Sequence, residues 1–478
     1  MYPLLKVGIT ILGKKNFYII NWLKNIFKIK IFLLAIGKMS IIFCTGILNS
    51  GGDFVQEKIE KNLMPIADRL ANNVVLRSLR DGFLIITPLI IVISIFLLIG
   101  NFPIPGWTNF WVGIFGQRWL DWFSAISGSV YNFIGLLSCL SISYIYGKNR
   151  GLEPINTTVV AVVVFLILTP TTVKVDQTTV SAIKTMYIGP NGIFLGLLTA
   201  LISVELFRFA IKRNWTIKMP KGLPEMVSQS FSVLLPSGFV ILVFFLIRIL
   251  FSLTSMKTAY NFIYITLQAP LKNVGNSLGS VLLYILLASV LWCFGINGPS
   301  VVNSVWSPIF FVLTQDNLKA FQSGGALPHI YTEQFIENFS TYGGGGSILS
   351  LLIVMLLFCR LQRIKELGKL TILPSIFGIG EPLIYGLPVV LNPIIAIPFV
   401  ITPLVNVLLS GTAFTFHLVP YTNGVMLPWT TPPIISGWLT TGSIWGAVLQ
   451  LIEIIIGIFI YYPFIKVLDR QYLATEKN

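Results

Sequence analysis

The chain has 478 residues, 55% of them hydrophobic and 11% charged, with a mean hydropathy of +0.82. Soluble domains carry about a quarter charged residues, so an ordinary soluble enzyme is excluded and a membrane protein indicated. Lys and Arg outnumber Asp and Glu by 33 to 18, but in a membrane protein such an excess sets topology through basic cytoplasmic loops, and no nucleic-acid partner is expected.

Residues 1–52 form a basic, apolar N-terminal extension, with seven lysines and no acid in residues 1–38. It lacks a small-residue cleavage site and is not read as a cleaved signal peptide. Two readings stand: a basic amphipathic helix on the membrane surface, or sequence upstream of an authentic start near Met39. Residues 53–82 are polar and helix-patterned, and are predicted to be a cytoplasmic lead-in helix.

Apolar blocks of the length a bilayer demands then predict ten spans. They lie roughly at 83–100, 128–147, 156–173, 191–211, 234–254, 277–295, 299–314, 347–360, 391–410 and 443–464. The blocks are not short alternating strands, which argues against an outer-membrane barrel. With a cytoplasmic N-terminus, the loops carrying Lys148 and Arg150, Lys212 and Lys221, and Arg363 and Lys369 all face the cytoplasm, as does the tail at 467–478. Residues 220–237, and less strongly 258–271, have apolar positions at helical spacing and are predicted to lie along the membrane surface. Glu205 and Arg208, three apart near a helix end, are predicted to pair. Arg248 and Glu453, each alone in an apolar span, suggest a pair across helices. His417 is expected in an extramembrane loop.

Gly and Pro interrupt the second half, 272–466, more than the first, 83–271. Broken backbone at membrane depth is tolerated where it lines a cavity, so the functional residues are sought there. The stretch GIGEPLIYGLPVVLNP holds Glu381, the only charged residue between Lys369 and Glu453, beside Gly380. A lone carboxylate in a broken apolar segment suggests a re-entrant hairpin with its tip at a solute site; the plain alternative is a solvated loop carboxylate. The stretch LWCFGINGPS repeats the pattern, placing Asn297 beside Gly298 with Trp292 close by. An amide there offers donors and an acceptor without the desolvation cost of an ion; its alternative is a turn cap. In VMLPWTTPPIISGW, Trp429 precedes Thr430, a pairing that suits a sugar by offering an apolar face and a polar rim, or else an interfacial anchor. The four cysteines, Cys44, Cys139, Cys293 and Cys359, are scattered and there are two histidines, so neither a metal nor another cofactor is expected. No nucleotide-binding P-loop occurs, so the chain is not expected to drive transport with its own ATPase.

The segments PIADRLANNVVLRSLRDGF, FGINGPS, PHIYTEQFIENFSTYGGGGS, GIGEPLIYGLPVVLNP and PWTTPPIISG, in this order, resemble the membrane component, enzyme IIC, of the lactose/cellobiose (chitobiose) family of the phosphoenolpyruvate-dependent sugar phosphotransferase system. The resemblance covers roughly residues 53–470. It implies an all-α polytopic membrane protein with about ten transmembrane helices, two re-entrant hairpins and surface amphipathic helices. It further implies a homodimer whose first half is the interface and whose second half carries the sugar by an elevator-like movement. The setting is a bacterial cytoplasmic membrane, with both termini cytoplasmic.

By the same resemblance, Glu381 hydrogen-bonds sugar hydroxyls near the point of phosphorylation. On this basis Glu381 is expected to orient the acceptor hydroxyl and to accept its proton. Asn297 and the backbone around Gly298 and Gly380 hold other hydroxyls, while Trp292 or Trp429, with Thr430 beside it, contacts a ring. The family usually has GIHG where this chain has GING, so Asn297 stands in place of a titratable histidine. The expected substrate is a β-linked disaccharide of the cellobiose, chitobiose or lactose class. The phosphoryl donor is a phosphorylated IIB subunit, charged by IIA. Cys44 is too close to the first span to belong to a IIB domain, and only residues 467–478 follow the last span, so IIB is expected to be a separate protein. The chain is then a subunit of a protein-phosphohistidine-sugar phosphotransferase with no phosphoryl carrier of its own. The residues also allow an ion-coupled secondary sugar transporter with Glu381 as protonation site, and an inactive or sensor homologue.

Overall fold

A computed structural model of the chain describes residues 73–175, 178–217, 231–387, 389–390 and 392–475. The N-terminal extension, most of the lead-in segment and most of the predicted surface segment 220–237 lie outside the described residues. The described residues are overwhelmingly helical, and each of the ten predicted spans falls on a helix. Among the described residues six helices are long and apolar enough to cross a membrane, and a seventh span arises if a pair bent by 79° is counted as one.

The first helix, α1 (Val74–Gly100), begins at Asn73, whose side chain caps Val75 N and Leu76 N. It thus runs continuously from the end of the predicted lead-in into the span. An aromatic-rich turn of chain, α2 (Trp107–Phe115) and α3 (Arg118–Tyr131), leads to α4 (Ile134–Asn149), α5 (Pro154–Leu168), α6 (Ile193–Lys212) and α7 (Leu234–Ser252). Helix α4 lies at the centre of this half, packed on α1, α5 and α6. Small residues permit these approaches: a Cβ on Gly196 would stand 2.6 Å from the Gly135 carbonyl, and one on Gly82 would stand 2.5 Å from the Ile142 side chain. Helix α5 stops short of the predicted span end, because the chain beyond it pairs as two antiparallel strands, β1 (Thr172–Val175) and β2 (Thr178–Ser181), with Thr172 opposite Ser181. β-branched residues fill an apolar span and a strand equally well, which is why the sequence did not mark the change.

Two charged sites behave differently from one another. Glu205 pairs with Arg208 at 3.3 Å, as its spacing predicted, and also with Arg150 at 2.6 Å. The expected Arg248–Glu453 pair is absent. Arg248 donates to the Ile167 carbonyl, and Glu453 accepts from Tyr342 and Ser410. Arg248 sits on the exposed apolar face of α7 and turns to a carbonyl at the end of α5, whereas Glu453 is buried among helices of the second half.

The first half ends with α8 (Ala259–Ile263) and a π-helical turn packed on its core, and α9 (Ala269–Gly275) then bends sharply into α10 (Leu278–Cys293), the first long helix of the second half. The second half continues through α11 (Gly298–Gln322), α12 (Glu333–Phe339), α13 (Ile348–Phe358), α14 (Gln362–Ile376), the short α15 (Glu381–Gly386), α16 (Pro393–Thr415), α17 (Ile435–Thr441) and α18 (Ile444–Thr475). Helices α13, α16 and α18 surround one apolar core, and α10, α11, α12 and α16 another. Helix α11 also packs on α1, joining the halves. His417 lies exposed in the turn after α16, stacked on Tyr421.

Candidate functional site

Both Gly-rich interruptions are tight reversals between helices. After α10 the chain turns at Gly295, which takes φ +78°, and enters α11 at Asn297. The Asn297 side-chain oxygen caps Ser300 N at 3.0 Å, so the turn-cap reading holds for its oxygen, while the residue is exposed and its amide nitrogen is not spent in the cap. After α14 the chain turns at Gly378, φ +81°, and Glu381 occupies the first turn of α15. A third irregular segment, Tyr342–Ser347, follows α12, with Gly343, Gly344 and Gly346 all at positive φ. Only glycine reaches these values without strain, and a Cβ on Gly344 would meet the Gly380 backbone at 2.9 Å. The two broken segments therefore run against each other backbone to backbone.

Among the three irregular segments lies a cavity of about 270 Å³. Helix α10 contributes Trp292 to its wall, the first hairpin Asn297, and the second hairpin Gly380 and Glu381, while Trp429 and Thr431 approach from the segment before α17. Of the residues expected from sequence, Trp292, Asn297, Gly380, Glu381 and Trp429 thus converge, although they are spread over more than a hundred positions. Gly298 and Thr430 lie outside the lining. Gly298 is buried where α10 and α11 cross, its missing Cβ leaving room for the Ala288 carbonyl. Thr431, one residue on, takes the lining place beside Trp429.

The electrostatics of the cavity are one-sided. Its described lining includes two carboxylates, Glu381 and Glu337, and no Lys, Arg or His. Glu381 is exposed to the cavity and has no hydrogen-bond partner among the described residues. Glu337 takes one hydrogen bond, from Gln334 at 3.1 Å, and Gln334 is itself fixed by Asn338 and Leu427 N. Trp292 is 4% exposed, and its indole N–H has no partner in the structure. Trp429 is 60% exposed. Tyr284 and Asn303, joined by a 2.7 Å hydrogen bond, complete a polar wall near Glu337. Such a site offers acceptors, amides and aromatic faces, and suits an uncharged ligand rich in hydroxyl donors. Among the described residues no group of three His, Cys, Asp or Glu side chains is placed to hold a metal.

Glu337 was not singled out by sequence. The segment EQFIENF has acids and amides scattered among aromatics, and only the structure shows that Glu337, on a seven-residue helix, faces the cavity. A carboxylate four residues after another acid, in a stretch too polar to span, was the available signal.

Comparison with known proteins agrees with this architecture. The profile of the phosphotransferase system EIIC family matches residues 80–403. The lichenan permease IIC component of Bacillus subtilis (strain 168) is 37% identical over 432 residues, covering 89% of this chain and 96% of the relative. The cellobiose-specific EIIC component of Geobacillus stearothermophilus is 33% identical over 429 residues, covering 88% of this chain and 95% of that one. The crystal structure of ChbC, the IIC component of the N,N'-diacetylchitobiose-specific phosphotransferase system, superimposes with a TM-score of 0.86 at 36% identity, covering 88% of this chain and 99% of ChbC. By fold and sequence, the chain belongs to the EIIC family, the multi-pass membrane permease components of the phosphotransferase system.

Proposed function

We propose that this chain binds a β-linked disaccharide of the cellobiose, chitobiose or lactose class, carries it across the bacterial cytoplasmic membrane, and presents it to a phosphorylated IIB partner. The observation that carries this reading is the cavity itself: two carboxylates, amide and hydroxyl groups and two indoles, with no cation in the described lining. Its volume of about 270 Å³ lies near the lower end of small-molecule pockets. The named sugars of the relatives support the substrate class.

In this account Glu381 accepts a hydrogen bond from the acceptor hydroxyl and takes its proton as the oxygen attacks phosphorus. The bond from phosphorus to the IIB cysteine sulfur breaks, and the thiolate leaves with the IIB partner. Glu337 grips a second hydroxyl, Asn297 donates through its amide nitrogen, and the indole N–H of Trp292 finds an acceptor on the sugar. Trp429 contacts a ring face. Both termini are cytoplasmic, and two copies pair through the first half, whose α1 and α7 carry broad exposed apolar faces. The test is Glu381→Gln: sugar uptake with phosphorylated IIB is abolished or severely weakened while membrane insertion is retained. Wild-type uptake in that variant would sink the assignment.

A further inference from the structure

Over residues 444–461 helix α18 is apolar apart from one stripe. Gln450, Glu453, Gly457 and Tyr461 recur at intervals of three, four and four residues, so they lie along one face. That face meets the chain between Asn338 and Ser350 at every step. Gln450 donates to the Asn338 carbonyl at 2.6 Å, and Tyr461 donates to the Gly346 carbonyl at 2.6 Å. A Cβ on Gly457 would stand 2.4 Å from the Ser350 hydroxyl. Glu453 is 0% exposed, and its two oxygens accept from the Tyr342 and Ser410 hydroxyls.

Helix α16 supports the same segment from the other side. Asn406, one turn before Ser410, donates to the Ser340 carbonyl and to Ser347 Oγ, each at 3.0 Å. Ser347 Oγ also receives Tyr342 N at 3.3 Å, and the Tyr342 carbonyl receives Leu349 N at 3.0 Å. Tyr342 is therefore the fixed entry to the loop Gly343–Gly346, whose backbone lines the cavity and abuts Gly380. A loop with three glycines at positive φ has no side chains of its own to hold its shape, and its conformation has to be imposed from outside.

We propose that Glu453 is a positioning residue for the cavity: through Tyr342 it fixes the 343–346 loop, and its contribution lies in its hydrogen bonds to Tyr342 and Ser410 rather than in a carboxylate charge. The inference rests on the sugar-binding reading above for its consequence, and on the buried network alone for its structural part. Gln at this position keeps one oxygen for Tyr342 and offers an amide to Ser410 Oγ. Leu keeps neither, and Tyr342→Phe removes the Tyr342 link while leaving Glu453 in place.

The experiment uses the purified full-length chain. Amide exchange of the peptide covering residues 340–349 is followed without sugar, and KM and kcat for cellobiose are measured in vesicles with phosphorylated IIB. Glu453→Gln leaves both near wild type. Glu453→Leu and Tyr342→Phe each speed exchange of that peptide and raise KM by at least about tenfold, the scale of a lost buried hydrogen bond to a carboxylate, with kcat little changed. Should Glu453→Leu not fold, Tyr342→Phe carries the test. The proposal is overturned if Glu453→Gln is as damaging as Tyr342→Phe, if exchange rises equally over the whole chain, or if exchange in 340–349 stays at the wild-type rate. A wild-type chain that takes up no cellobiose refutes the sugar reading, and the exchange measurement still judges the network.

Discussion

Replacing Gly298 by Ala tests how the first hairpin is built. The added Cβ would lie 1.9 Å from the Ala288 carbonyl oxygen, 2.6 Å from its carbonyl carbon and 2.7 Å from its Cα. Ordinary contact begins at 3.4 Å, so α10 and α11 must separate locally by about 1.5 Å, and the obstacle is helix backbone that cannot rotate away. Overpacking of this kind costs about 3 kcal/mol, the upper part of its usual range. Because Asn297 caps the same helix end, the separation also displaces it from the cavity. The expected result is a loss of several degrees in the melting temperature of the detergent-solubilised protein, together with weakened sugar binding. Gly113→Ala, in α2, is the control: no atom lies within 4 Å of its Cβ position, and the helix gains up to about 1 kcal/mol in propensity. If Gly298→Ala melts and binds as wild type does, the close crossing of α10 and α11 is not what holds the hairpin.

Other substitutions probe the lining. Glu337→Gln removes a charged acceptor while keeping its shape, and is expected to weaken sugar affinity by about tenfold with unchanged melting, measured by calorimetric titration. A phosphorylated disaccharide meets two carboxylates and no cation in the described lining, so it is expected to bind at least about tenfold more weakly than the free sugar, an effect that shrinks with added salt. Equal affinity for the two would contradict the electrostatic reading of the cavity. Trp292→Phe keeps a ring but loses the unpartnered indole N–H. It is expected to raise KM several-fold with kcat preserved, the signature of lost uniform binding.

Much of the helical layout was legible because length and apolarity are one-dimensional signals. The convergence of Trp292, Asn297, Glu381 and Trp429 was legible for a related reason: each stood out as a polar or aromatic residue within three positions of Gly or Pro in apolar sequence. What escaped depends on rotation and on long-range pairing. Glu337 lies in a segment whose polarity resembles a loop, so nothing local distinguished it from its neighbour Glu333. Glu453 invited pairing with Arg248, the other lone charge in a span, because charge is visible in sequence and hydroxyl partners are not. Its true partners, Tyr342 and Ser410, are 111 and 43 residues away. Gly298 was grouped with the ligand-facing residues by adjacency to Asn297, whereas one step along a helix turns a residue by about 100° and here takes it from the cavity to a helix crossing.

The most direct test of the account is uptake of radiolabelled cellobiose into vesicles containing the chain, with and without phosphorylated IIB, followed by analysis of the trapped product. The account predicts phosphorylated disaccharide inside the vesicles only when phosphorylated IIB is present. Free sugar accumulating under an ion gradient alone would contradict it, and would make Glu381 a coupling-ion site.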